Sequence, residues 1–291
     1  MIKSSYDIAV AYRVYPGISK TPLFHADNKY ELVRLGVKSF RSSLGNIRAK
    51  MYVFLDHCPK EYENIFLESF SRDDLEFIHF GGIGNYATFN LQIEYLLKQA
   101  ESKIVYFAED DYLYREGMFE KAVCFLKNNQ HVDFISPYDH MDYYTSPFHS
   151  AGSYKMAFSC GMHWRTAHST CLTFLTTKDV LRRTQQIFRT YSRGNYDCSM
   201  WLGLTKFEGL SLRTNARNIL SSASYFKIYM KAVYYCWRNL FFGRRYHLWV
   251  PIPAIGTHLE SGLVSPGVDW NAIFNEIENG KNLRAGSGHK S

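Results

Sequence analysis

The sequence predicts an α/β protein, a mostly parallel sheet with helices on both faces and an extension of looser pattern at its C-terminal side. Three observations carry this expectation. Short apolar runs alternate with amphipathic stretches through residues 1–137, as parallel strands joined by helical crossovers require. The runs are continuously apolar, the pattern of strands buried on both faces. Charged or glycine-rich segments follow the runs, and open α/β sheets bind ligands beyond the carboxyl ends of their strands.

Taken in order, Ile8 to Tyr15 is a strand stopped by Pro16-Gly17. Asp27 or Asn28 caps a helix to about Ser43, with apolar residues at Leu32, Leu35, Val37 and Phe40. Met51 to Leu55 is a strand ending at Asp56, and Pro59 opens a helix through Phe70. Leu75 to Phe80 is a strand followed by Gly81-Gly82-Ile83-Gly84-Asn85 and a helix from Thr88 to Gln99. Lys103 to Ala108 is a strand, Met118 to Lys127 a helix, and Val132 to Ser136 a strand closed by Pro137. Beyond it, Tyr138 to Ser153 reads as a loop, Ser169 to Leu175 as a strand and Thr177 to Tyr191 as a helix. A further helix opens at Gly194-Asn195-Tyr196-Asp197 and runs through Leu204; Ser224 to Phe242 is a long aromatic and basic stretch, and Leu248 to Ile255 a strand.

Composition narrows the function classes. The 291 residues carry 34 basic and 27 acidic side chains, a net charge of +7. That excess suits an anionic ligand or membrane surface, but no basic block or RNA-binding signature points to nucleic acid. The six cysteines (58, 124, 160, 171, 198 and 236) form no Cys-x-x-Cys pair, which argues against structural zinc, and several sit in apolar runs as reduced core residues. Neither a signal peptide nor an apolar span opens the chain, so the cytoplasm is the expected compartment.

The most informative stretch is Lys103 to Leu113, an apolar strand that ends in Glu109-Asp110-Asp111. Adjacent carboxylates repel and resist burial; a hard divalent cation, often one already holding phosphates, is their natural partner. An acidic first turn of the helix that follows is the competing reading. Arg13 and Asp56 stand at two other strand ends; Arg13 suits a phosphate or stacking on a base, and Asp56 suits a base N–H, a ribose hydroxyl or a turn or cap before Pro59. Asp197 stands at a helix start, where it serves as a cap or as a general base.

The order of elements and these motifs resemble a GT-A glycosyltransferase, in particular the family 2-like bacterial enzymes. The resemblance spans roughly Tyr6 to Trp270, with specific similarity confined to short motifs. It implies that Glu109-Asp110-Asp111 is a DxD motif binding Mn²⁺ or Mg²⁺ through Asp111, with Glu109 and Asp110 facing the donor. It implies a metal-ligating His258 in Gly256-Thr257-His258-Leu259-Glu260, Asp197 as catalytic base, and Gly161 as a small residue near the donor sugar, in a segment flanked by His163 and His168. Tyr196, not an acid, precedes Asp197, a departure from the family's acidic pair.

The activity implied is metal-dependent, inverting transfer from a nucleotide-diphosphate sugar, a UDP-sugar first of all, to a glycan or lipid-linked acceptor in surface polysaccharide synthesis. Residues 1–137 would then be the nucleotide-sugar half, 138–280 the acceptor half of the same domain, and 281–291 a polar tail. Asp139, Asp142 and Glu208 are reserve bases. The loop from Tyr138 would close over the donor. Tyr225 to Arg245 has cations at Lys227, Lys231, Arg238 and Arg245 among aromatic residues. It is either a helix lying on the inner face of an anionic membrane or a buried helix with snorkelling cations. A retaining transferase on the same fold, a nucleotidyltransferase and a non-catalytic glycan- or membrane-binding module remain the alternatives.

Overall fold

The structure is a computed structural model that describes residues 6–18, 21–146, 149, 154–206, 216 and 222–286. Eleven strands and nine α-helices are defined among these residues. The strands are β1 (Ile8–Val14), β2 (Ala49–Asp56), β3 (Leu75–Phe80), β4 (Ile104–Glu109), β5 (Tyr112–Tyr114), β6 (Phe134–Ile135), β7 (Met156–Ser159), β8 (Met162–Ala167), β9 (Phe174–Thr177), β10 (Leu248–Ile252) and β11 (Gly256–His258). The helices are α1 (Lys29–Ser43), α2 (Tyr62–Leu67), α3 (Gly84–Lys98), α4 (Phe119–Asn128), α5 (Asp142–Thr145), α6 (Lys178–Phe188), α7 (Asp197–Thr205), α8 (Ala223–Phe242) and α9 (Trp270–Gly286).

Nine strands form one sheet in the order β3-β2-β1-β4-β9-β6-β10-β8-β7. β3, β2, β1 and β4 are parallel; β9 runs against both β4 and β6, and β8 against β10 and β7. Nearly every residue of β1, β2 and β4 is buried, which is why their sequences are apolar without alternation. Aromatic side chains fill both faces: Phe40, Tyr106, Tyr114 and Phe119 meet on one side, Phe107, Phe134, Phe174, Phe188 and Trp201 on the other. Each such buried ring contributes about 1.5–3 kcal/mol relative to exposure.

The first half follows the expected order closely. Asn28 caps α1, its Oδ1 accepting the Glu31 N–H at 3.2 Å. The helix expected from Pro59 to Phe70 is only α2, because the chain around Pro59 forms turns before Tyr62. The second half departs more. Strand β9 starts at Phe174 rather than Ser169. The segment around Gly161, expected as a donor-side loop, is the hairpin β7–β8, held because Trp164 stacks on Phe125 at 4.3 Å. The ribbon of β5 and β11 was not foreseen, nor was α9.

Cys124 and Cys160 form a disulfide between α4 and the hairpin turn. At these two positions the reading of reduced core cysteines does not hold. Cys58, Cys171, Cys198 and Cys236 are free. No helix of the described residues is long and apolar enough to cross a membrane.

Candidate functional site

Beyond the carboxyl ends of β1, β2 and β4 lies a cleft of about 820 Å³, a size suited to a small-molecule ligand. Arg13, Asp56, Glu109, Asp110, Asp111, Asp197 and His258 all line it. Seven side chains spread over 246 positions of the sequence thus converge on one concavity. Gly161 does not join them; it sits in the β7–β8 turn with φ +74°. His163 contacts Phe158 on that hairpin, and His168 is buried against Tyr154, its imidazole pushed down to about 3 by burial.

The acidic triplet closes β4 and turns directly into β5, so it is not the start of a helix. Its three carboxylates have different partners. Glu109 is held by the Arg13 guanidinium through Oε1 and by the Thr173 hydroxyl, which donates to Oε2 at 2.7 Å. Asp110 pairs with Lys29 Nζ at 2.9 Å and accepts the Tyr15 N–H at 2.8 Å. Burial pushes the Asp110 carboxyl up, against the pull of Lys29.

Asp111 meets His258 instead, Oδ2 to Nε2 at 3.0 Å, while its Oδ1 is buried with no hydrogen-bond partner. Burial disfavours the Asp111 carboxylate, but the adjacent His258, with Lys29 and Arg13 farther off, holds its carboxyl down at about 2. Among the described residues no three His, Cys, Asp or Glu side chains gather into a metal-holding group. Asp111 and His258 are therefore a pair of potential ligands, one oxygen and one nitrogen, a donor set that suits Mn²⁺.

Local structure explains how the pair is made. His258 stands opposite Tyr112 in the antiparallel β11–β5 ribbon, one residue beyond Asp111, and the Leu259 N–H donates to the Asp111 carbonyl at 2.8 Å. Gly256 lets β11 close on β5: a Cβ there would lie 2.8 Å from the Tyr114 ring and 3.2 Å from the Leu113 carbonyl. Gly36 does the same for α1, where a Cβ would come within 3.1 Å of the Tyr112 carbonyl. That close approach brings the first turn of α1, with Lys29, onto Asp110.

Asp56 is buried and fully engaged. Its Oδ1 accepts the N–H groups of Gly82 and Ile83, both at 2.9 Å, and its Oδ2 that of Gly84 at 2.8 Å. Asp56 thus anchors the glycine loop that walls the cleft. Arg13 also reaches the Asn85 carbonyl at 3.4 Å. Asp197 opens α7, where a carboxylate is favoured by the helix dipole; its Oδ1 accepts the Cys198 N–H at 2.6 Å. Of the reserves, Asp139 is buried in an ion pair with Arg165 at 2.7 Å and accepts the Tyr144 hydroxyl at 2.5 Å, Asp142 is exposed on α5, and Glu208 lies outside the described residues.

Residues not singled out from the sequence also face the cleft: Lys29, Tyr191, Cys171 and Leu172. Burial pushes the Tyr191 hydroxyl up to about 12 and the Cys171 thiol well above its usual value. Lys29 had a legible signal, a cation in the first turn of a helix, where the dipole disfavours it.

No protein-family model matches the chain, and no curated protein does. Solved structures do. The galactosyltransferase LgtC, in complex with donor and acceptor sugar analogues, aligns over 94% of this chain and 95% of its own at 12% identity, TM-score 0.47. A mannosyltransferase from Pyrobaculum calidifontis, PcManGT in complex with GDP-Man and Mn²⁺, aligns over 48% of this chain and 38% of its own at 13% identity, TM-score 0.33. S. aureus TarS aligns over 62% of this chain and 49% of its own at 14% identity, TM-score 0.39. This chain therefore spans less than half the length of the last two. At identities and scores this low, the chemistry of the site has to come from its own geometry.

Proposed function

We propose that the protein is a metal-dependent glycosyltransferase of GT-A type, using a nucleotide-diphosphate sugar, a UDP-sugar foremost. One observation carries the reading: the Asp111–His258 pair, with Asp111 Oδ1 unpartnered, beside Arg13 near a strand end and Lys29 in the first turn of α1. Asp111 and His258 would hold a divalent cation. When bound, the cation neutralises the charge that builds on the departing diphosphate.

The residues of the chain divide the remaining tasks. Arg13 and Lys29 bring positive charge to the cleft while each orients a carboxylate. Asp56 fixes the loop Gly82–Gly84 that walls the cleft. Asp197, across the cleft, takes the proton from the acceptor hydroxyl as that oxygen attacks the anomeric carbon, giving inversion. The acceptor is a glycan or lipid-linked saccharide, as in surface polysaccharide synthesis.

Calorimetric titration with UDP, with and without Mn²⁺, tests the metal role; equal affinity in both would refute it. Asp197→Asn keeps donor binding and loses transfer, on the order of 10²–10⁴-fold for a general base. The product anomer by NMR decides the stereochemistry, and retention of configuration would remove the base role from Asp197.

A further inference from the structure

We propose that the outer face of α8 is a docking surface for an anionic lipid bilayer. The helix has two apolar faces. One is built into the protein: Tyr229, Ala232, Cys236 and Leu240 are buried, packed in part on α7. The other carries Phe226, Met230, Val233, Tyr234, Trp237 and Phe241, each 40–75% exposed and spaced so that they form a single stripe along the helix. Phe242 at its end is 82% exposed. A contiguous apolar face of this kind marks an interaction site on a soluble domain, and it removes the reading of α8 as a fully buried helix.

Charge identifies the occupant. Lys227 and Arg238 are exposed, and with Lys231 they follow one border of the stripe at helical spacing. Arg245, also exposed, stands just past its end, next to Arg244, whose guanidinium is paired with Asp133. Between Glu208 and Glu260 the sequence contains no acidic residue and seven Lys or Arg. Aromatic residues on the apolar side with cations beside them are what an interfacial helix presents to anionic headgroups. A second copy pairing through the same face in antiparallel fashion would bring Lys227 of one chain toward Arg238 and Arg244 of the other, a like-charge contact.

The surface is tied to the cleft. Lys231 lies over the Tyr196 ring at 3.8 Å and donates to the Gly194 carbonyl, and the Tyr235 hydroxyl donates to the Arg193 carbonyl at 2.5 Å. Helix α8 therefore clamps the segment leading into Asp197, so a bilayer-bound α8 would hold the acceptor side of the cleft at the lipid surface. Docking itself stands independently of the transfer chemistry.

Trp237 is a built-in probe, 46% exposed, whereas Trp164, Trp201, Trp249 and Trp270 are buried. The full chain is titrated with vesicles of phosphatidylcholine, alone or mixed with phosphatidylglycerol, following tryptophan emission and co-sedimentation. Anionic vesicles should shift the emission to the blue and sediment the protein, and salt should weaken both effects. Lys227→Gln with Arg238→Gln should lower vesicle affinity about 25-fold, roughly fivefold per cation. Trp237→Ser with Phe241→Ser should abolish sedimentation with the circular dichroism and nucleotide affinity of the parent. Absence of binding to anionic vesicles, or equal binding to neutral ones, overturns the proposal. So does a lipid-free, concentration-dependent blue shift with dimer mass by light scattering, which assigns the stripe to a second copy. A wild-type chain that binds vesicles but no nucleotide would refute the transferase reading and leave this one standing.

Discussion

Asp110 and Asp111 are neighbours with opposite expected behaviour, and substituting each by Asn separates stability from metal binding. Asp110 shares a buried ion pair with Lys29, whose side chain is 9% exposed. An amide at 110 removes the counter-charge and strands the ammonium. Breaking a buried pair from one side costs about 3–5 kcal/mol. With an unfolding entropy of about 2.1 cal/mol/K per residue over 291 residues, that loss lowers Tm by roughly 5–8 °C.

Asp111 has one oxygen on His258 and one with no partner, so Asp111→Asn forfeits a single charge-assisted contact, about 1.5–3 kcal/mol, but loses a ligand. Scanning calorimetry gives Tm, and UDP titration with and without Mn²⁺ gives metal-linked affinity. Asp110→Asn should melt early and still bind UDP more tightly with Mn²⁺; Asp111→Asn should melt closer to the parent and bind UDP alike with or without the metal. If Asp110→Asn loses the metal effect while remaining folded, the division of labour within the triplet is wrong.

Three further outcomes follow from the same contacts. Asp56→Ala strips three N–H groups of their shared acceptor and should cost several kcal/mol at about 1.5–3 kcal/mol per charged hydrogen bond, with nucleotide affinity falling as the Gly82–Gly84 loop loosens; an unchanged denaturation midpoint would show that the loop holds without it. Cys124→Ser opens a cross-link between residues 36 positions apart, worth about 3–4 kcal/mol in the chain-entropy model, and alkylation under non-reducing conditions followed by mass spectrometry should count four modified thiols in the parent chain, six refuting the bond. Arg165→Met leaves Asp139 buried without its cation and removes a guanidinium lying over the Tyr143, Tyr144 and Tyr154 rings, so a loss of about 3–5 kcal/mol is expected by urea denaturation, and a near-neutral result would mean that water reaches Asp139.

The cleft was legible because its components are local signals. A buried strand with charge at its end needs no tertiary information to be recognised; β2 and β4 end in Asp56 and Glu109, and Arg13 is the penultimate residue of β1. What each carboxylate does was not legible, since that depends on partners distant in sequence: Thr173 on Glu109, Lys29 on Asp110, His258 on Asp111. Asp56 shows the gap most clearly. The sequence leaves open a nucleotide contact or a cap before Pro59, yet both its oxygens face backbone N–H groups of a loop 26–28 positions on. Gly161 lies away from the cleft, in the β7–β8 turn, because a glycine between a cysteine and an amphipathic run suits a hairpin turn as well as a sugar contact.

The arrangement of the triplet also explains why three acids can share one strand end. Three ionised carboxylates packed together would repel one another and raise one another's pKa, and a single divalent cation could not satisfy all of them as well as its own diphosphate. Here Arg13 and Lys29 neutralise two of the three before any ligand arrives, and the helix and strand that carry those cations are fixed by the sheet and by the close approach at Gly36. The third carboxylate is delivered to an imidazole by a separate ribbon, whose spacing depends on Gly256. Enlarging Gly256 should therefore move His258 away from Asp111 while leaving Arg13–Glu109 and Lys29–Asp110 intact. Gly256→Val is expected to abolish the Mn²⁺ enhancement of UDP binding while metal-free UDP affinity persists, and a variant that stays folded with the enhancement unchanged would show that the ribbon does not set the metal pair.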